Sequence, residues 1–415
     1  MRAVGTATVA ADDAPGGGPD RGPDAARCEA RFERDLRRAL ADALACGCSP
    51  GGARAPGGRC ACPDVVRDFV SRGGKRTRAR LVRYAWLAAG GVDGGPGSGL
   101  MVRLAASLEL IQACAVVHDD LIDATAQRRG APSLHRACAA EHRRRRWSGD
   151  SERYGVAQAV LAGDLALARA DDLVLELCCE DPEAGRRIRA GWRTMREEMV
   201  TGQRLELRLQ AERSGSATAA LAVARLKSGG YSVRWPLELG AALADADPGR
   251  LSALAGFGAR VGLAFQLVDD YRDLFCDTAR LGKPPGGDLA DGKRTYLVLR
   301  ALEVAASGRL SRQGAIIRAA VGAPDLDAGA LERVRCAVRE TGTGAEVLAL
   351  VARLHREGCD LLRAADLEPV AVTRLVALAD RLTDPGHDAG SADAGSADID
   401  GDGDGDDVLR TRGST

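Results

Sequence analysis

Residues 117–123 read Val-His-Asp-Asp-Leu-Ile-Asp, and residues 268–273 read Val-Asp-Asp-Tyr-Arg-Asp. The pattern Asp-Asp-x-x-Asp thus occurs twice, at Asp119, Asp120 and Asp123 and again at Asp269, Asp270 and Asp273. Aspartate is a poor helix former and is rarely fully buried without a partner. On a helix, positions four apart share a face, with β-carbons about 5–6 Å apart. Two carboxylates at that separation repel by about 3 kcal/mol at an effective dielectric of about 20. A bound cation offsets the repulsion. All-oxygen carboxylate sites suit Mg2+, which keeps several waters and shares its shell with substrate phosphates. One copy alone is weak evidence, because acidic helix faces are common. Two copies, closing the apolar runs LAASLELIQACAVV and LAGFGARVGLAFQLV, favour a metal site, since solvated charges need no such helices behind them.

The cations are as selective. Four of the 58 Lys plus Arg residues are lysine, and the chain has no asparagine. An ammonium is a compact point charge and a guanidinium a planar fork, so the two are not equivalent at a tight anionic site. Lys75, Lys227, Lys283 and Lys293 are therefore candidates for places where only the smaller cation fits. Lys75 lies in GGKRTRARL and Lys227 in RLKSGGY. Lys283 and Lys293 lie in GKPPGGDLADGKRTY, just after the second aspartate motif, while Arg128 and Arg129 follow the first. Carboxylate-held metal ringed by loop cations describes a site for a polyanion such as a diphosphate.

Helices must position these groups. Apolar residues recur at three-to-four spacing over 30–45, 76–89, 101–123, 156–179, 187–211, 216–228, 251–277, 293–306 and 328–364. Strand-like alternation is nearly absent, and Gly or Pro marks the loops at 90–99, 148–155, 247–249 and 282–288. The pattern predicts one all-α domain over residues 28–383, a large helical bundle with a sizeable interior. Residues 1–27 and the acidic segment 384–415 read as disordered tails. The DIDGDGDGDD stretch imitates a calcium loop, but the twelfth position from Asp398 is Leu409 rather than the required Glu.

The formal net charge is zero, so no basic excess points to nucleic acid. HRRRRW at 142–147 reads as a solvated loop. No run of about 18 or more apolar residues is seen, so no membrane span is expected. The first residues lack a charged-then-apolar signal pattern, and the twelve cysteines read as thiols in a reducing cytoplasm. Cys46, Cys48, Cys60 and Cys62 form C-x-C pairs rather than the wider pairs of zinc sites and read as incidental thiols. His118 reads as a hydrogen-bonded or core histidine, because Mg2+ prefers oxygen.

In chain order, GGKRTR, HDDLIDATAQRRGAPSLH, LKSGGY, FQLVDDYRD and GKPPGGDLADGKRT resemble the trans-polyprenyl diphosphate synthases, the head-to-tail isoprenoid chain-elongating enzymes. The resemblance covers residues 28–383 and has the flavour of actinobacterial geranylgeranyl or farnesyl diphosphate synthases. It implies the all-α isoprenoid synthase fold, with both aspartate motifs facing a central cavity. It further implies that Asp119, Asp123 and Asp269 hold three Mg2+ with Asp120, Asp270 and Asp273 in support. Arg128, Lys227, Gln266, Lys283 and Lys293 would contact the allylic diphosphate, and Lys75, Arg78, Gln112 and Arg129 isopentenyl diphosphate. Ser228 stands where the family commonly has Thr, and Gln112 where many members have His. Gln203, in GQRLELR, is a weaker candidate near the allylic pocket. A homodimer is the family expectation.

The implied product is linear, and aromatic content of 3 % leaves few rings to steer a cation toward cyclisation. A chain growing from Asp119 toward the start of its helix would meet Cys114 and Ala115, both small, and then Ile111 and Leu108. Family members with bulky aromatics at this floor stop early, so geranylgeranyl diphosphate is the expected product, with farnesyl or longer products as alternatives. More distant are a class I terpene cyclase, whose second metal motif uses Asn, and a non-catalytic subunit, which tends to lose an aspartate motif. Substituting Phe for Cys114 or Ala115 is expected to shorten the main product, read by chromatography; an unchanged length removes the floor from these two positions.

Overall fold

A computed structural model of the chain describes residues 23–45, 61–71, 73–128, 130–281, 284–323 and 326–386. In order, the helices are α1 (Pro23–Ala43), α2 (Ala61–Ser71), α3 (Thr77–Ala88), α4 (Ser98–Ile122), α5 (Leu134–Arg144), α6 (Ser151–Glu180), α7 (Pro182–Ala211) and α8 (Ala217–Val223). A π-helix (Ala224–Arg234) leads into α9 (Trp235–Leu243) and α10 (Pro248–Phe275). Two single turns, α11 (Thr278–Leu281) and α12 (Gly287–Ala290), precede α13 (Tyr296–Ser307), α14 (Ser311–Ala320), α15 (Ala328–Glu340), α16 (Thr343–Ala364) and α17 (Pro369–Thr383). The only strands among the described residues are β1 (Gln127–Arg128) and β2 (Ala131–Pro132), paired antiparallel with Arg128 opposite Ala131. The chain is all-α, as its periodicity predicts. Cys46, Cys48, Cys60, Arg129, Lys283 and most of both tail segments lie outside the described residues.

Several boundaries differ from the sequence reading. α1 starts at Pro23, ahead of the expected domain start at 28. The stretch 328–364 is two helices, because Gly342 takes φ 74° and starts α16 afresh. The run at 142–147 is not a loop at its start: His142, Arg143 and Arg144 form the last turn of α5. Cations there complement the partial negative charge of a helix carboxyl end. His142 is buried, its Nε2 3.1 Å from Ser148 O, while Arg143, Arg144 and Arg145 stay exposed. α6 begins at Ser151, inside the expected loop, because the Asp150 side chain accepts from Arg153 N and caps it.

α4 and α10 form the spine. α4 packs on α6, α3 and α1, and α10 on α16, the π-helix and α9. Both are long and apolar enough to cross a membrane, with mean hydropathy 1.8 and 1.5, although neither is an unbroken apolar run. The reason is that a few charged residues such as Arg103 and Glu109 interrupt α4. Most of each apolar window is nonetheless covered by neighbouring helices, 72 % for α4 and 56 % for α10.

On one flank α3 is clamped by Arg83, which is fully buried. It meets Asp93 through two hydrogen bonds of 3.0 and 2.6 Å and also pairs with Glu29 of α1. Such a fork-to-carboxylate pair satisfies a charge that could not be buried alone.

The π-helix meets α10 backbone to backbone. A β-carbon on Gly262 would enter the Gly229 carbonyl, and one on Gly229 would come 2.8 Å from Gly262 C. Two glycines at one contact let the segments touch and set Lys227 and Ser228 beside the end of α10; π turns recur at functional sites. Gly262→Ala is expected to destabilise the fold by about 2 kcal/mol through overpacking, measured as a lower Tm. A Tm equal to that of the parent removes this contact from the fold's constraints.

Candidate active site

Both aspartate motifs sit at helix carboxyl ends. Asp119 and Asp120 lie in the last turn of α4 and Asp123 is its C-cap. Asp269, Asp270 and Asp273 occupy the last turns of α10. A helix carboxyl end carries about half a negative charge, so carboxylates there are disfavoured and cations favoured. The two ends open on one cavity of about 2970 Å³. Among the sequence-derived candidates, Lys75, Arg78, Gln112, Asp119, Asp123, Arg128, Lys227, Ser228, Gln266, Asp269, Asp270 and Lys293 all line it.

The cations pair with the motifs in a defined way. Lys227 Nζ lies 3.2 Å from Asp119 Oδ1 and also contacts Glu206 Oε2. Lys293 Nζ lies 2.8 Å from Asp123 Oδ2 and 3.1 Å from Asp288 Oδ1. The Asp288 amide in turn donates to Asp273 Oδ2 at 3.0 Å, and Gly286 N donates to Asp273 O at 2.7 Å. Lys293 and its loop therefore join the first motif to the second. Burial pulls both lysine pKa values down, but their carboxylate neighbours outweigh it and hold both ammoniums charged, above the ordinary lysine range.

Not every aspartate faces the cavity. Asp120 turns inward at 1 % exposure and accepts from Arg128 Nε at 2.8 Å. The β1–β2 hairpin, turned at Gly130 with φ 72°, brings Arg128 back to it. Burial pushes the Asp120 carboxyl up, opposed by Arg128. Asp270, which does lie on the cavity wall, accepts from Gln266 Nε2 at 2.7 Å, one helical turn earlier. Burial first, then Asp288, pushes its carboxyl well above the ordinary range, opposed by the Gln266 hydrogen bond.

The donor chemistry fits Mg2+. Every group the two motifs offer is a carboxylate oxygen, the donor type that Mg2+ prefers. Among the described residues no three His, Cys, Asp or Glu side chains converge to chelate one ion unaided. That suits an ion held by one or two carboxylates and completed by water and phosphate oxygens. Asp119, Asp123 and Asp269 lie on the cavity wall, as do Asp270, Asp288 and Glu206.

The GGKR turn adds further cations to the cavity wall. Gly73 and Gly74 take φ 83° and 153°, and Arg76 φ 45°, in the tight GGKR turn that starts α3. This turn carries Lys75 to the wall. Arg76 is held by Glu109 at 3.0 Å. Arg78 donates to Ser232 Oγ at 2.6 Å and stacks 4.3 Å above the Tyr231 ring. The Tyr231 hydroxyl donates to Gln112 Oε1, which supplies the partner of that glutamine.

Sequence reasoning passed over Glu206, Asp288, Arg76 and Tyr231. Glu206 stands three residues after Gln203 in the GQRLELR segment, and Asp288 and Tyr231 stand inside quoted motifs, so composition alone did not single them out. Gln203 itself is off the cavity wall, with its Nε2 buried and unpartnered. His118 turns to α6, 3.3 Å from Val160 O, and away from the cavity. Cys114 is buried with its Sγ 3.8 Å from His118 Nδ1, and burial pushes its thiol up to about 11. Neither Cys114 nor Ala115 lines the cavity; the α4 wall is Glu109, Gln112, Val116, Asp119 and Asp123. Cys114 is buried in the core cluster that includes Ala159, Ala162 and Ala166 of α6, and Ala115 is partly buried against it.

Comparison with known proteins places this architecture. The polyprenyl synthetase family model matches residues 61–328. A short chain isoprenyl diphosphate synthase of Methanothermobacter thermautotrophicus is 31 % identical over 245 residues, 57 % of this chain and 65 % of the relative. A (2E,6E)-farnesyl diphosphate synthase of Mycobacterium tuberculosis is 32 % identical over 225 residues, 54 % of this chain and 56 % of the relative. The chain thus spans somewhat under two thirds of the length of these curated relatives. A crystal structure of geranylgeranyl pyrophosphate synthase from Corynebacterium glutamicum, complexed with isoprenyl diphosphate and magnesium, aligns with TM-score 0.78 at 36 % identity. That alignment covers 86 % of this chain and 99 % of the other. With paired aspartate motifs on one cavity, an all-α fold and a family model spanning most of the helical domain, this chain belongs to the polyprenyl synthetase family.

Proposed function

We propose that the protein condenses isopentenyl diphosphate with an allylic diphosphate to give a linear all-trans prenyl diphosphate, geranylgeranyl diphosphate in the main. The observation that carries this reading is the Asp123–Lys293–Asp288–Asp273 chain, which joins two acidic helix ends and a lysine at one cavity wall. The C. glutamicum structure, with isoprenyl diphosphate and magnesium bound, supports Mg2+ as cofactor, and three ions per site is the number proposed. When bound, Mg2+ supplies Lewis-acid withdrawal of charge from the leaving diphosphate.

The side chains divide the remaining work. Asp119, Asp123 and Asp269 present carboxylate oxygens from two helix ends, with Asp120, Asp270 and Asp273 behind them. Lys227, Lys293, Arg128 and Gln266, with Lys283, hold the allylic diphosphate so that its C–O bond breaks next to the second substrate. Ser228, beside Lys227, adds a hydroxyl. Lys75, Arg78, Gln112 and Arg129 hold isopentenyl diphosphate; Arg78 is pre-oriented by Tyr231 and Ser232. The olefin then attacks the allylic carbon, and a proton passes to the departing diphosphate. Pre-positioned charge, rather than a protein nucleophile, lowers the barrier.

Product length follows from where the hydrocarbon runs. Val116 is the one apolar residue among the α4 residues of the cavity wall, and the small Cys114 and Ala115 precede it in the chain. A farnesyl product is the second reading, favoured by the name of the mycobacterial relative. Val156, Val160 and Leu161, exposed together on α6, support a homodimer. The described free thiols suit a reducing cytoplasm.

Asp270 offers a stability test. Its carboxyl is buried and its pKa raised, so ionisation is easier in the unfolded chain. Stability is then lost as pH rises from the ordinary carboxylate range toward the raised folded value. Asp270→Asn keeps the Gln266 hydrogen bond without the charge. It is expected to raise the Tm of the metal-free protein at pH 8, with a gain that shrinks toward pH 4; a lower Tm at pH 8 contradicts the assignment. Catalysis is tested by incubating the protein with Mg2+, isopentenyl diphosphate and each of dimethylallyl, geranyl and farnesyl diphosphate. Linear geranylgeranyl diphosphate is expected. A cyclic hydrocarbon would instead indicate a terpene cyclase, and no product without a second protein a non-catalytic subunit.

A further inference from the structure

Each of the two site lysines is shared between one aspartate of the first motif and one carboxylate outside both motifs. Lys227 stands between Asp119 and Glu206, and Lys293 between Asp123 and Asp288. A divalent cation taken up by Asp119 repels an ammonium on the same carboxylate. Without another anion, the lysine would either block the metal or be left as a buried, unpaired charge, which is costly.

α7 is built to supply that anion. Gly202 is pressed on the π-helix so closely that a β-carbon would meet Lys227 N and come 2.7 Å from Lys227 Cα. Glu206 lies four residues on, on the same helix face. Its side chain is 15 % exposed and that of Lys227 17 %, so the pair is shielded from solvent. The glycine permits the approach, and the glutamate meets the ammonium it brings near.

We propose that Glu206 is a positioning residue that holds Lys227 off Asp119, so that metal and lysine occupy the site together. Asp288 stands in the same relation to Lys293, but its amide also ties Asp273, which leaves Glu206 as the cleaner probe. The proposal deepens, and rests on, the reading of the cavity as a metal–diphosphate site. It assigns Glu206 no contact with substrate.

The test is Mn2+ binding to the full, metal-free chain, followed by electron paramagnetic resonance without diphosphate. Glu206→Gln leaves Lys227 to Asp119 alone and is expected to weaken Mn2+ binding about tenfold, the lower range for groups that orient metal ligands. Adding Lys227→Met removes the competitor and is expected to restore parent affinity. Lys227→Met alone, its fold checked by circular dichroism, is expected to bind Mn2+ at least as tightly as the parent. Parent-like binding by Glu206→Gln, or failure of the double variant to recover, overturns the proposal, as does weaker binding by Lys227→Met. A parent protein that binds no Mn2+ at all overturns the underlying metal-site reading, and this inference with it. Prenyl transfer by a Mn2+-binding parent, together with unchanged binding in Glu206→Gln, leaves the function standing and removes only the role of Glu206.

Discussion

Lys293 reaches Asp123 at the end of one spine helix and Asp288 beside the end of the other. Around that contact the structure resolves a conflict. Six carboxylates are placed at two helix carboxyl ends, where the backbone dipole already favours cations. Without counter-charge they would repel one another at close range. The helix ends meet counter-charge there from Lys227 of the π-helix and Lys293 of the loop before α13.

The rest of the fold serves that meeting. α4 and α10 are covered on most sides by other helices, which fixes their carboxyl ends relative to one another. The glycine contact between Gly229 and Gly262 brings the π-helix against α10, and the Gly202 contact brings α7 against Lys227. A short hairpin returns Arg128 to the buried Asp120. The tight GGKR turn brings Lys75 to the same cavity wall, where Arg78, Tyr231 and Gln112 form a connected group. The cavity wall thus carries the two acidic helix ends with their lysines and, besides them, the cations Lys75, Arg76 and Arg78.

Packing also assigns different duties to residues of one motif. Asp119 and Asp123 share a face and look into the cavity, whereas Asp120, one residue on, faces the interior and anchors Arg128. Asp273 holds the loop that carries Asp288. The same helical period explains Cys114: it lies on the flank of α4 that meets α6, not on the wall formed by Gln112 and Val116.

Much was legible beforehand because it is local. Helical periodicity, the paired Asp-Asp-x-x-Asp motifs and the four lysines in an arginine-rich chain are properties of short windows, and they sufficed for an all-α chain with a candidate metal–diphosphate site. Where local signals were thin the reading slipped, as at α5, whose apolar face is only Leu134, Cys138, Ala139 and the buried His142. The break at Gly342 was invisible because the period runs on through it. What only the tertiary structure decided is pairing across long separations: Lys227 with Glu206, Lys293 with Asp123, Tyr231 with Gln112. A carboxylate's strength as a ligand or anchor depends on its burial and its neighbours, and both are set by how distant helices pack rather than by the residues beside it in the chain.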